Sequence, residues 1–371
     1  EDLRKRMHME FSQRAFPKNM DTLKHLVETR HALPPVLGYP TWAEYVTADK
    51  MVEHAQAASD FIDRIVVASE PRARLDYPTL RARKKKDAPG ATVVTAWESG
   101  YWQEMVRKSE YDFDAQQVRP YLPYDRVKQG VLDVTSTMFG VTFERVPDAP
   151  VWDPSVECYE MFDGGKLAGR FYLDMHPRKD KFNHAAQFDV RTGVAGRQIP
   201  EAALICNFPG GQPGDPGLME HSDVRTFFHE FGHLLHTLFA GHHAWIGVGG
   251  ISTEQDFIEV PSQLLEEWTW DPAVLATFAT HYQTNQPIPV DLVKQMKRAS
   301  EFGKGLQVRR QMVYAQTSLS IYNRDPQGLD TDQLVRQITE RYQPFPFVPG
   351  THMQCSFGHL DGYSAVYYTY M

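Results

Sequence analysis

The sequence predicts a mainly helical protein with one small β-sheet. Through most of the chain, apolar residues recur at three- and four-residue steps, the spacing that lines one face of a helix. Runs rich in β-branched and aromatic residues cluster between residues 141 and 208. Composition supports a sizeable core: of 371 residues, 42% are hydrophobic and 23% charged. Those are ordinary values for a globular protein, and the length allows two or three domains or one large helical one.

The elements follow in order. Leu3, Met7 and Phe11, then Leu23, Leu26 and Val27, give a helical opening that extends with breaks to about Val67. Pro34-Pro35 and Gly38-Tyr39-Pro40 interrupt it, and Thr41 caps a helix carrying Trp42, Tyr45 and Val46. Asp60 to Ala68 is helical, and Pro71 to Thr95 reads as a polar excursion. Within it the basic run Arg81 to Lys86 reads as a solvated loop leading into the turn Asp87-Ala88-Pro89-Gly90. Trp97 to Lys108 is helix and Asp112 to Tyr124 a loop. Arg126 to Phe139 is a helix closed by Gly140. Strands are expected at Val141 to Phe143, Cys158 to Phe162, Gly169 to Leu173 and Ala202 to Phe208, with Gly164-Gly165 turning a hairpin. The loop Pro209 to Gly217 then leads to a helix over Ser222 to Phe239. Helices follow over Asp291 to Tyr322 and Thr331 to Tyr342. This change of character divides the chain into a helical segment, residues 1–140, and a region, 141–371, that carries the sheet and the motifs discussed next.

Several function classes are disfavoured. A formal net charge of -8 argues against nucleic acid as a partner, because phosphate binding needs a concentrated basic surface. Three widely spaced cysteines make a disulfide framework improbable and favour a reducing, cytoplasmic setting. No apolar stretch approaches the roughly 20 residues of a membrane span, and no signal peptide is visible. The charged helical opening and the apolar, uncapped end Val366 to Met371 suggest a piece of a longer protein.

The most informative stretch is His229-Glu230-Phe231-Gly232-His233. On a helix the two histidines stack on one face, about 5–6 Å apart. Val224, Phe227, Phe228, Phe231, Leu234, Leu235 and Leu238 supply the helical periodicity, with Ser222 as N-cap and Asp223 at the positive helix end. Two imidazoles on one ridge can hold a single zinc ion, and Glu230 is placed to take a proton from the water such an ion activates. The plainer alternative is an amphipathic core helix with two surface histidines.

A hydrolytic zinc site needs a third protein ligand. A glycine three residues after His233 and a histidine six after it would supply one, but those positions hold His236 and Phe239. His236 shares the ridge a turn further on and reads as a supporting or packing residue. A carboxylate on a second helix remains, begun by a capping box at Ser252 and Gln255. Glu254, Asp256, Glu259, Glu266 and Glu267 are all candidates on chemistry alone. Pro261 is expected to kink that helix. Near the end, Tyr363, Tyr367 and Tyr370 are spaced to share one side of a helix. They could donate to a tetrahedral oxyanion or simply form an aromatic core stripe.

Three motifs in order resemble the thimet oligopeptidase and oligopeptidase A family of zinc peptidases. They are His229 to His233, Asp256-Phe257-Ile258-Glu259-Val260-Pro261-Ser262-Gln263, and Gly358-His359-Leu360-Asp361-Gly362-Tyr363 with Tyr367 to Tyr370. The resemblance covers nearly the whole chain. It implies Glu259 as third ligand to one zinc ion, beside His229 and His233, with Glu230 as general base. It also implies Tyr363 and Tyr370 as oxyanion and substrate contacts, with Tyr367 and His359 nearby. Where the family commonly has two glycines before the first tyrosine, Asp361 and a single Gly362 stand here. The implied fold is a zincin-type helical clamshell with the small sheet beside the active-site helix. Residues 141–371 then form the catalytic region and 1–140 a helical wall. The implied activity is hydrolysis of internal bonds in short unstructured peptides. A dipeptidyl carboxypeptidase on the same scaffold and a non-catalytic zinc- or peptide-binding fragment are the alternatives. The sheet's edge strand is expected to pair with an extended substrate; oligomeric state is not readable.

Overall fold

The computed structural model describes residues 2–371. Helices α1 (Asp2–Ser12), α2 (Lys18–Val36), α3 (Trp42–Thr47), α4 (Ala55–Asp87), α5 (Ser99–Glu110) and α6 (Tyr124–Phe139) come first. Strands β1 (Val141–Arg145), β2 (Glu157–Asp163), β3 (Lys166–Asp174), β4 (Ala186–Arg191) and β5 (Glu201–Ile205) follow. Then come α7 (His221–Ala240), α8 (Glu259–Glu266), α9 (Pro272–Phe278), α10 (Val290–Ser300), α11 (Lys304–Tyr322), α12 (Thr331–Tyr342) and α13 (His359–Gly362). The protein is mainly α with a small mixed sheet, as the periodicity predicts.

The chain gathers into two compact units that interleave in sequence. Among the described residues, one comprises 2–112, 254–257 and 298–371, the other 113–253 and 258–297. This grouping differs from a single division at residue 140, because α11 and α12 return to pack on α4 and α2 through Ile62, Met312, Leu319 and Tyr342.

Within the first unit, α4 runs unbroken through Pro71 and Pro78. The expected polar excursion at Pro71 to Thr95 is therefore helix as far as Asp87. Each proline removes one backbone hydrogen bond, but Ile62, Ala73 and Leu80 keep an apolar face buried on both sides of them. The basic run Arg81 to Lys86 is not a loop either. It forms the last turns of α4, where cations oppose the negative end of the helix dipole. Thr41 caps α3 as expected, its hydroxyl accepting from Glu44 N. The expected helix over Asp291 to Tyr322 is two helices, parted where Gly303 adopts φ 87°.

In the second unit the strand order is β1-β2-β3-β5-β4, with β3 and β5 parallel and the other pairs antiparallel. The β2–β3 turn uses Gly164 and Gly165, both at positive φ. The strand β4 carries no expectation from sequence. It forms one edge of the sheet, and β1 forms the other.

Helix α7 lies on this sheet. Phe231 meets the rings of Phe143 and Phe171 edge-on, each at 5.8 Å, and Phe227 packs on Phe208 at 5.5 Å. Each buried ring contributes about 1.5–3 kcal/mol, so the sheet fixes the helix rotation and with it the histidine ridge. Glu220, not Ser222, is the N-cap, in a reciprocal capping box with Asp223.

Helix α8 begins at Glu259, not at Ser252, whose hydroxyl instead donates to Gly247 O at 3.0 Å. Pro261 falls in its first turn, where its missing N–H has no partner to lose, so no kink is required. Gly232 lets α7 and α8 touch: a β-carbon there would stand 2.8 Å from Ser262 Cα. That neighbour is backbone and cannot swing aside. Gly232→Ala should therefore destabilise the chain by about 1–3 kcal/mol. A urea unfolding midpoint unchanged from wild type would show that the two helices do not depend on this contact.

Candidate metal centre

The α7–α8 contact sets the site. His229 and His233 project from adjacent turns of α7, and Glu259, the first residue of α8, reaches between them. Their ligand atoms all lie within 4.8 Å of one another. One carboxylate oxygen, Glu259 Oε2, stands 3.2 Å from both His229 Nε2 and His233 Nε2. The Ser262 hydroxyl, 3.1 Å from the same oxygen, fixes the carboxylate from within its own helix. Of the five acidic candidates, Glu259 joins the histidine pair.

Glu266 has a different place. It lies two turns along the same face of α8, and its Oε1 accepts from His229 Nδ1 at 2.8 Å. Its other oxygen accepts from Arg225. A histidine whose Nδ1 is bonded in this way presents the Nε2 lone pair outward, so Glu266 sets both tautomer and ring orientation. The seven-residue spacing from Glu259 was the available signal for this role.

Glu230 is 8% exposed. Burial, reinforced by the nearby Glu259, raises its carboxyl above the usual range, although His229 and His233 oppose the shift. The Gln187 backbone of β4 also opposes the shift. His236 is half-buried, its pKa lowered by burial and then by His233, and its Nδ1 has no hydrogen-bond partner in the structure.

Electrostatics show that this donor set fits a dication. Three carboxylates, Glu230, Glu259 and Glu266, crowd two imidazoles. Burial alone would lower the His229 pKa, but hydrogen bonds to Glu259 and Glu266 outweigh it and raise it to about 10. Burial would raise the Glu259 carboxyl, yet the bonds from His229 and His233 hold it well below the carboxylate range. The cluster therefore holds a proton at the point where its lone pairs converge. Two imidazole nitrogens and one carboxylate oxygen are the donors zinc takes in hydrolytic sites.

The four C-terminal candidates belong to the first unit. They are brought together there, though not by one helix. After α13 the chain turns at Ala365, φ 64°, and Tyr367–Tyr370 form a 3₁₀ turn. His359 Nε2 lies 3.2 Å from Tyr370 Oη. Its ring is 5.3 Å from Tyr363 and 5.0 Å from Tyr367. Tyr363 and Tyr370 are 5.4 Å apart, and Tyr367 Oη donates to Gln311 at 3.0 Å. The i, i+4, i+7 reading expects one helix face, whereas the structure gathers these residues around α13 and the 3₁₀ turn.

Two histidines and a glutamate on touching helices, with a second glutamate between the histidines, form a candidate metal centre of the kind metallopeptidases use. The model of Peptidase family M3 matches residues 1–371, and the chain belongs to that family. It is 30% identical to oligopeptidase A of Escherichia coli over 387 residues, covering 100% of this chain and 57% of that protein. Against the thimet-like oligopeptidase of Dictyostelium discoideum the identity is 31% over 389 residues, with 100% and 58% covered. Against the dipeptidyl carboxypeptidase of Escherichia coli it is 32% over 358 residues, with 94% and 52% covered. The chain thus spans about half the length of the curated relatives it matches.

The site generates two predictions. Glu266→Ala should weaken zinc binding by about 10–100-fold in a chelator competition, because the His229 ring loses its orienting partner. Unchanged affinity would deny Glu266 that role. Zinc uptake at pH 8 should also release a proton, since a ring with its pKa raised to about 10 is protonated there and an ordinary imidazole near 6.5 is not. Calorimetry in two buffers of different ionisation enthalpy reads the proton, and buffer-independent heats would contradict it.

Proposed function

We propose that the chain carries the catalytic centre of a zinc-dependent oligopeptidase that hydrolyses internal bonds of short, unstructured peptides. The observation that carries the reading is the convergence of His229 Nε2, His233 Nε2 and Glu259 within 4.8 Å, with Glu230 on the same helix. His229, His233 and Glu259 would hold one zinc ion. When bound, the ion supplies a Lewis acid that brings the ionisation of water from about 15.7 toward about 7.

Glu230 accepts the proton of the attacking water and returns it to the leaving amine. Its buried setting suits both halves of that transfer, since a carboxyl poised closer to neutrality gives a proton back more readily. Glu266 keeps the first imidazole aimed. The resemblance assigns Tyr363 and Tyr370 to the oxyanion and the substrate, with Tyr367 and His359 beside them. A phenol suits that task because it donates a hydrogen bond without adding a full charge. The edge strand β4 is the place where an extended peptide can add to the sheet. Three buried, unpaired cysteines fit a reducing, cytoplasmic setting.

Similarity to a dipeptidyl carboxypeptidase supports a second reading, release of C-terminal dipeptides. A peptide amidated at its C-terminus separates the two, because an endopeptidase still cuts it. The central test is Glu230→Gln, assayed by metal analysis together with a quenched fluorescent peptide. The variant should retain one zinc per chain and lose at least about a thousandfold in kcat. Turnover at the wild-type rate would end the mechanism.

A further inference from the structure

Helix α13, His359–Gly362, is a single turn. A lone turn does not hold its own shape, because nucleation fixes several residues for one hydrogen bond. Its carbonyls also need partners that the short helix cannot supply. His359 O accepts from Tyr363 N at 3.0 Å, and Gly362 O accepts from the Gln255 side chain at 3.3 Å. The two carbonyls between them are met by one side chain, Arg30 of α2. Its Nη1 donates to Leu360 O at 2.8 Å and its Nη2 to Asp361 O at 3.0 Å. A planar guanidinium spans two successive carbonyls in this way, whereas an ammonium offers a single point of charge.

Arg30 is itself held in place. Its guanidinium lies 4.8 Å from the Trp42 ring centre and 5.4 Å from that of Tyr322. The Tyr322 hydroxyl accepts from Nη1 at 3.1 Å and donates to Leu360 O at 2.6 Å. Asp361 Oδ1 is also 2.9 Å from Nη2, but that carboxylate is 77% exposed, where an ion pair adds little. The grip is therefore on the backbone of the turn. Trp42 extends it, since its Nε1 donates to the Ser364 hydroxyl at 2.8 Å. Arg30 and Trp42 thus hold the chain immediately before and immediately after Tyr363.

We propose that Arg30 is a positioning residue, which sets the place of the Tyr363 hydroxyl through Leu360 O and Asp361 O. The task of that hydroxyl rests on the oligopeptidase reading. The inference goes beyond that reading in naming what holds the tyrosine, a side chain 330 positions before Leu360. A shift of about 1 Å in a group that meets the transition state can cost about a hundredfold in rate.

The test reads position and turnover separately on the zinc-loaded chain. Arg30→Lys keeps the charge and most of the stem, while Arg30→Met keeps only the apolar packing. Hydrogen exchange over residues 357–366 should quicken by about tenfold in Arg30→Met and by less in Arg30→Lys, with zinc content and exchange across α7 unchanged. In the quenched-peptide assay Arg30→Met should lower kcat by about a hundredfold and leave KM within about twofold. Made in a Tyr363→Phe chain, the same substitution should cost less than about threefold more, because the hydroxyl it places is gone. Unchanged exchange over 357–366 in both variants would overturn the proposal. So would a loss confined to KM, or a loss of kcat as large in the Tyr363→Phe chain as in the wild type. Quickened exchange in a chain whose parent cleaves no peptide would uphold the positioning and refute the hydrolytic reading alone.

Discussion

Helices α7 and α8 touch at Gly232 and Ser262, and the rest of the site depends on that contact. A side chain at Gly232 would push α8 away, and Glu259 would no longer reach both imidazole nitrogens. The contact also forces negative charge into a poorly hydrated place, where Glu259 is only 2% exposed and Glu230 8%. Buried carboxylates are tolerated only when hydrogen-bonded and paired with positive charge. Ser262, the two histidines and the Glu266–Arg225 pair meet part of that requirement, and a dication held at the convergence point would meet the remainder. Packing and charge are thus one constraint: the close contact of α7 with α8 is also what gathers carboxylates around the two imidazoles.

The sheet serves this arrangement as a platform. Phe227 and Phe231 hold α7 against it, leaving the ridge of His229 and His233 turned toward α8. At its edge, β4 runs beside α7, where Asp189 Oδ1 accepts from the Thr237 hydroxyl. The same small sheet therefore orients the histidine ridge and offers an unpaired strand edge. The aromatic group of His359, Tyr363, Tyr367 and Tyr370 is assembled separately in the first unit, around α13 and the 3₁₀ turn that follows.

Much of this was legible in the sequence because strong local periodicity and chemistry agreed. The histidine helix, its apolar face, the Gly164-Gly165 hairpin, the Gly140 stop and the Thr41 cap each rest on interactions within a few residues. What stayed hidden depends on distant partners. Pro71 and Pro78 read as breakers, but packing on both sides of them carries α4 through. Strand β4 was missed although Ala186 to Arg191 alternates strictly between apolar and polar residues; the run is only six residues long and its pairing comes from β5. Five acidic residues were equivalent as third ligand until the fold of α8 separated Glu259, between the histidines, from Glu266, behind one of them. The tyrosine spacing assumed one helix, which Ala365 at positive φ breaks, although Tyr363, Tyr367 and Tyr370 still cluster with His359.

The central claim is that one cation sits among His229, His233 and Glu259, and zinc X-ray absorption of the loaded chain tests it most directly. The account predicts one zinc per chain, with a first shell of nitrogen and oxygen at about 2.0–2.1 Å that includes two imidazoles. It also predicts that this imidazole scattering is lost when His229 and His233 are both replaced by alanine. A sulfur-containing shell, or a spectrum unchanged by that double substitution, would contradict it.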